Sequence, residues 1–395
     1  MASAATIQTP FPPLRIRDRS LLPVVQGGMG VGISAHRLAG AVAREGAVGT
    51  IASVELRHLH PDLMERSARS RDHQAITESN LEALDREVRG AREIAGAAGF
   101  IAVNVMRAVK HYADLVRQAC RSGANALVVG AGLPMDLPDL VGEEEDVALI
   151  PILSEERGVR AVLKKWIRKG RLPDAIVIEH PAYAGGHLGA TRIEEIADPR
   201  FEFARVLDAI RDVCRGLGLT PERIPLIPAG GVNAFETVRQ LFARGAAAVQ
   251  VGTPFAVTQE GDAHPEFKRV LAEASPADIV TFMSAAGLPA RAVLTPWLRH
   301  YLAREDRVRA LADPMKAHCG RAVECLAFCG LRDGDGTAGQ FCIENQLAAA
   351  QRGDVQRGLF FRGSEPLPFG REVRSVRELL QYLLAGIRPP PAVPA

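Results

Sequence analysis

The stretch IPLIPAGGVNAFETVRQLFARGAAAVQVGTPF, residues 224–255, decides the fold. A short apolar run, IPLIP (224–228), ends at a Gly-Gly pair, and a second, AAVQVG (247–252), ends in glycine and threonine. Between them Phe235, Val238, Leu241 and Phe242 recur with helical period, and Asn233 with Glu236 predicts a capping box. Runs this short and apolar throughout suit strands buried on both faces of a parallel sheet. The stretch therefore reads as strand, helix, strand.

The same rhythm extends upstream. LPVV (22–25), AVGTIAS (47–53), FIAVN (100–104), NALVV (125–129), VALIPIL (147–153) and AIVIE (175–179) are further runs, each followed by a glycine or cap residue and a helical pattern. After the first run Ser34 predicts an N-cap, with a helix through about Arg44 closed by Gly46. Eight such units in about 250 residues match a (β/α)8 TIM barrel. A doubly wound open sheet is the alternative, but GGMGVG (27–32) fits its G-x-G-x-x-G turn only imperfectly. The barrel is the favoured fold.

The rhythm stops after Phe255. We expect a barrel over 1–258 and a smaller, mainly helical region over 259–395. There the segment 317–354 reads as helix, Gly/Asp-rich turn, helix. VRSVRELLQYLLAGI (373–387) is a last amphipathic helix that can dock on the barrel, and the Pro-rich end is expected to fray.

Composition narrows the class. Of 395 residues, 47% are apolar and 24% charged, ordinary for a globular enzyme. A net charge of +2 gives no reason to expect nucleic acid or an anionic membrane as partner. The N-terminus lacks the pattern of a secretory signal and no apolar run is long enough to span a bilayer, so a cytoplasmic protein is the expectation. Cys319, Cys325, Cys329 and Cys342 follow a C-x5-C-x3-C-x12-C spacing, which departs from paired zinc knuckles. They read as free thiols rather than a metal site.

In a barrel the loops after the strands carry the chemistry. Gly27-Gly28, Gly185-Gly186, Gly230-Gly231 and Gly252-Thr253 all follow predicted strand ends. One such pair would mark a tight turn; four on one rim let a flat ligand approach the backbone. The seventh and eighth loops suit a phosphate-bearing cofactor, and no P-loop lysine motif is present. Asn104 ends the third strand, where it serves either a cofactor edge or a turn; Gln26 and Gln250 flank the same rim. His187 lies on the glycine-lined loop PAYAGGHLGA (181–190), with His180 and Tyr183 beside it. Its ring can move a proton near neutral pH, and no rival nucleophile motif occurs, which leaves redox chemistry to a cofactor.

QGGMGVG (26–32), VNVM (103–106), GAGLP (130–134), AGGHLG (184–189), IPAGGV (227–232) and VQVGTPF (249–255) occur in this order and resemble the nitronate monooxygenase family, formerly the 2-nitropropane dioxygenases. The likeness runs on through FAVTQEGDAHPEFK, SAAGLPARAV and FCIENQLAAAQRGDVQRGLFFRGS, so it covers nearly the whole chain. It implies a barrel binding FMN, with Gly27, Gly28 and Met29 meeting the flavin and Asn104 near it. Gly185, Gly186, Gly230, Gly231, Gly252 and Thr253 would contact ring, ribityl chain or phosphate, with Glu179 and Gln250 in the same cofactor-binding set. His187 falls on the family's active-site histidine. The activity implied is oxidation of an alkyl nitronate or nitroalkane by O2 to a carbonyl compound and nitrite.

Three features depart from that pattern. The loop EHPAYAGGHLG is one residue longer than usual, Pro254 stands where a basic residue is common, and only 5% of residues are aromatic. The flavin-dependent enoyl-acyl-carrier-protein reductases share AGGH, the glycine loops and FMN, and supply the alternative activity, reduction of an enoyl thioester by NAD(P)H. The sequence leaves the oligomeric state open, a homodimer among the options.

Overall fold

The computed structural model describes residues 6–67, 70, 72–142, 145–316, 319 and 325–390. All eight apolar runs become strands: Val24–Gln26, Val48–Ala52, Phe100–Met106, Ala126–Gly130, Ala148–Leu153, Ile176–Glu179, Leu226–Ala229 and Val249–Val251. They close into one parallel barrel in chain order, the eighth pairing with the first through Val249↔Val24 and Val251↔Gln26. The chain is a TIM barrel. Among the described residues no helix is long and apolar enough to cross a membrane.

Alternation along the strands sorts the core into two layers. Ile101, Val103, Leu127, Leu149, Ile176 and Ile178 point outward and pack beneath the helices. Phe100, Ala102, Ala126, Val128, Ala148, Ile150, Val177 and Ile227 point inward and fill the barrel. A hairpin of Leu14–Ile16 and Arg19–Leu21 contributes Leu14, Ile16 and Leu21 to that interior layer. Because side chains alternate with period two, the same inward rows continue into Asn104, Glu179 and Gln250 at the strands' C-terminal ends. Gln26 belongs to the opposite row. It is buried, donates to Gly27 O and accepts from Thr50 N–H at 2.8 Å. The expectation that it flanks the rim is corrected by that register.

Two helix caps differ from the sequence reading. Helix His36–Arg44 starts after Ala35, and Ser34 instead accepts from Met29 N–H at 2.8 Å, closing the first glycine loop. The cap comes from far along the chain: the Asp262 carboxylate accepts from Ala35, Arg37 and Leu38 N–H at 2.8, 3.0 and 3.1 Å. Gly46 does end this helix, with φ +92°. Likewise helix Phe235–Ala243 follows Ala234, while Asn233 Nδ2 donates to Pro366 O at 3.0 Å. Replacing Asp262 by alanine should cost about 0.5–2 kcal/mol, the usual worth of a cap. Urea unfolding of D262A would measure it; an unmoved midpoint would show that the three N–H groups find other acceptors.

The segment after residue 258 folds over the barrel's C-terminal face. Its helices are Pro265–Glu273, Pro296–Leu302, Glu305–Ala310, Gly330–Asp333, Ile343–Gln351 and Val376–Ala385. It also contains a hairpin, Ile279–Met283 and Pro289–Val293, which the helical reading did not include. The second strand of that hairpin pairs with Gly186–His187 in the loop after the sixth barrel strand, with Ala290 opposite His187 and Arg291 opposite Gly186. Of the helix-turn-helix expected over 317–354, the second helix is Ile343–Gln351; most of the first lies outside the described residues. The last helix begins with a Ser375–Glu378 capping box and buries Val376, Leu379, Leu380, Leu383 and Leu384 beside Leu38, Val42, Val238 and Leu241 of two barrel helices.

Candidate active site

A cavity of about 760 Å³ opens at the C-terminal ends of the barrel strands. Gly27, Gly28, Met29, Asn104, Glu179, Gly185, Gly186, His187, Gly230, Gly231, Gln250, Gly252 and Thr253 all line it, as does Tyr183. His180 does not. Its ring is buried outside the cavity against Tyr183 and Phe203, and its Nδ1 accepts from Ala182 N–H at 3.2 Å. The longer loop is thus absorbed as a turn, Tyr183 and Ala184 donating to His180 O, each at 3.1 Å. Only Tyr183 of that pair reaches the site.

Close approach explains two of the glycines. A Cβ on Gly28 would stand 2.3 Å from Asn104 Cβ, so the first loop lies directly on the third strand's amide. A Cβ on Gly185 would stand 2.5 Å from Arg362 C and Gly363 N, backbone atoms of a crossing segment. That segment, residues 359–367, is a strap. It bridges to the hairpin at Ala292↔Phe361, and Gly363 N–H donates to Thr253 Oγ1 at 3.0 Å. Ser364 N–H donates to Tyr183 O at 3.2 Å, and Pro366 O receives the Asn233 amide. One extended stretch therefore ties together the loops after the sixth, seventh and eighth strands. The resemblance had included these residues, but no periodicity or motif assigned them a place.

His187 is held by the hairpin pairing and by the edge of Phe361, ring centroids 5.5 Å apart. Its Nε2 is buried without a hydrogen-bond partner among the described residues. Burial lowers its pKa to about 4, so the imidazole is neutral at pH 7. Glu179 is pushed the other way, to about 7, by desolvation, with the Arg291 charge opposing. Arg291 is itself buried and donates to Pro181 O at 3.0 Å and to Ala184 O, fixing the turn that leads to His187.

The far wall carries a buried charge network that sequence reading missed. Arg57 is fully buried and donates from Nε to Glu55 Oε2 at 2.9 Å and from Nη2 to Glu344 Oε1 at 2.6 Å. His58 Nε2 lies 3.0 Å from the same Glu344 oxygen. Glu55 and Glu344 line the cavity, together with Cys325. Desolvation, then the Glu344 charge, raises Glu55 to about 7. Glu55, His58 and Glu344 bring ligand-type atoms within 4.8 Å of one another, with the Arg57 guanidinium supplying the positive charge between the carboxylates. Cys319, Cys325, Cys329 and Cys342 form no disulfide with one another; burial, Glu344 and Glu55 all push the Cys325 thiol up, away from thiolate.

A barrel with this rim and a half-buried histidine loop has a family counterpart. The family model for nitronate monooxygenase matches residues 18–386. The chain belongs to the nitronate monooxygenase family. A probable nitronate monooxygenase of Bacillus subtilis (strain 168) is 26% identical over 290 residues, 70% of this chain and 77% of that protein. Two solved structures share the fold: FabK from Thermotoga maritima, with a TM-score of 0.64, 23% identity and coverage of 92% and 91%; and nitroalkane oxidase from Streptomyces ansochromogenes, with 0.59, 20%, 92% and 94%. As a nitronate monooxygenase family member the protein is a flavin-dependent oxidoreductase.

The residues present fit a flavin. Gly27 and Gly252 leave open space on the cavity side, a Cβ on either meeting nothing closer than 3.6 and 3.9 Å. Gln250 Oε1, like His187 Nε2, is a buried polar atom with no partner among the described residues. Buried polar atoms are almost always satisfied, so two orphans in one cavity call for a polar ligand.

Proposed function

We propose that this protein binds FMN and oxidises alkyl nitronates with O2, giving a carbonyl compound and nitrite. The observation that carries the reading is His187 Nε2, buried, unpartnered and aligned on a glycine-lined cavity within a nitronate monooxygenase chain. Gly230 and Gly231, ahead of helix Phe235–Ala243, with Gly252 and Thr253, would hold the phosphate end. Gly27, Gly28, Met29, Gly185 and Gly186 would lie against the ring, with the amides of Asn104 and Gln250 and the Glu179 carboxyl at its edge. When bound, the FMN supplies electron transfer from the nitronate and its onward passage to O2.

The chain's own groups orient and polarise. A neutral His187 offers one N–H to the nitronate's oxygens, where negative charge is concentrated. The Phe361 edge and the hairpin pairing hold the ring in place, so little reorganisation is needed on binding. Two nitronates are consumed for each O2: in each the carbon–nitrogen bond breaks with release of nitrite, and the carbon gains one oxygen atom.

Purified protein should be yellow and should release nitrite from ethyl nitronate or propionate 3-nitronate in air without NAD(P)H. Bleaching of its flavin by NADPH and reoxidation by a crotonyl thioester, with no nitrite formed, would replace this reading with an enoyl reductase. FMN against FAD is settled by the flavin released on heating.

A further inference from the structure

We propose that Cys319, Cys325, Cys329 and Cys342 hold an iron–sulfur cluster of the [4Fe–4S] class in the wall of the barrel-mouth cavity. The assignment revises the reading of these residues as plain thiols, and it does not depend on the nitronate reading. Four of the chain's six cysteines fall within residues 319–342, spaced C-x5-C-x3-C-x12-C. Folding gathers the last three. Cys325 lines the cavity, and it feels charge on both the Cys329 and the Cys342 thiol. Leu326, Ile343 and Glu344, chain neighbours of Cys325 and Cys342, line the same wall. Cys342 is the N-cap of helix Ile343–Gln351, where the helix end favours a thiolate.

The backbone carrying these sulfurs is fixed from several sides. Arg332 Nη1 donates to Leu326 O at 2.7 Å and Nη2 to Ala327 O at 3.1 Å, gripping the chain between Cys325 and Cys329. Asp333 accepts from Cys329 N–H at 2.9 Å, and Ala327 N–H donates to Ala108 O at 2.8 Å, beside the bridge Val109↔Leu326. A Cβ on Gly334 would stand 2.4 Å from Asp313 C, so the chain leading to Cys319 lies against this same loop. Outer-shell bonds of this kind hold a ligand set in place. Arg332 puts its charge near Cys325 and Cys329, and Arg57 bonds Glu55 and Glu344, the carboxylates that Cys325 feels. The two cations offset the negative charge of a thiolate-bound cluster. A single zinc ion would draw its sulfurs to about 2.3 Å each, hence within about 4.6 Å of one another. Among the described residues no three of these thiols lie within 4.8 Å of one another. In a [4Fe–4S] cluster each cysteine binds its own iron, which suits thiols that are neighbours without touching. Insertion of a preassembled cluster forms four Fe–S bonds and releases the thiol protons to solvent, and no electron changes hands.

The test is the iron and acid-labile sulfide content of the full chain, made in iron-replete cells and purified without air. Each chain should carry about four irons and four sulfides, and dithionite should bring up the EPR signal of a reduced cluster. C329S and C342S should each lose most of that iron, while C120S, far from the group in sequence, keeps it. Protein that takes up neither iron nor sulfide, even when both are supplied under argon, overturns the proposal. So does a single ion bound without sulfide, and so does iron that C329S and C342S retain in full. If the serine variants aggregate, the native protein decides. Its partly exposed Cys319 and Cys342 should resist alkylation while the cluster is present and react once ferricyanide has destroyed it. Labelling that is the same before and after overturns the assignment. None of these measurements uses nitronate turnover, so their failure leaves that reading as it stands.

Discussion

His187→Ala is expected to lower kcat for ethyl nitronate by about 10²–10³-fold, the usual loss when one donor to a developing or resident oxyanion is removed. The variant should keep its flavin absorbance, because the histidine's ring packs on Phe361 and its backbone, not its side chain, pairs with Ala290. An unchanged turnover would sink the assignment. The protonation state is open to a separate check. Between the ordinary value of 6.5 and about 4 the unfolded chain takes up a proton that folded His187 refuses. Acidification across that window therefore favours unfolding. The native protein should lose more stability between pH 7 and pH 5 than His187→Gln does; equal losses would mean that the ring is charged or solvated in the folded state.

Arg57→Met should be the most destabilising single change in the cavity wall, at about 3–5 kcal/mol, the cost of breaking a buried ion pair from one side. Methionine preserves the packing of the stem but leaves the carboxylates of Glu55 and Glu344 facing each other without the cation between them. Glu55, already raised to about 7, would then be held protonated over more of the pH range. The double variant R57M/E344Q removes one of the two stranded charges and should recover part of the loss. Denaturant midpoints of the two variants measure this, and a double variant no more stable than R57M would show that the charges are not what the network compensates.

The barrel was readable because its signal is local. Each strand is a run of Val, Ile and Leu a few residues long, bounded by glycine or a cap, and that composition reports burial on both faces without any knowledge of neighbours. The glycine rim was readable for the same reason, since a strand end next to Gly-Gly is a feature of consecutive residues. What escaped the sequence are the contacts that join distant segments. Asp262 caps a helix that begins more than two hundred residues earlier, so Ser34, the local candidate, serves the first glycine loop instead; Asn233 likewise turns from its helix to the Pro366 carbonyl of the strap. Arg291 and Arg57 carry no motif, and their value lies in the carbonyls and carboxylates that tertiary folding brings to them. Gln26 and Gln250 look alike in sequence. One residue of register sends the first into the wall and the second into the cavity.

The strap over residues 359–367 separates two kinds of inheritance in this chain. The floor of the cavity comes from strand ends, whose spacing and level are dictated by the hydrogen-bonded barrel, so changes there disturb everything around them. Its roof comes from Phe361, Gly363 and Glu365, on a stretch joined to the loops mainly through backbone bonds. Its partly exposed side chains, such as Glu365, are exchangeable at smaller structural cost than the buried Leu359, Phe360 and Arg362. Relatives with the same floor can therefore drift apart in the molecules they accept by varying the roof alone, and libraries aimed at new substrates belong there rather than on the barrel.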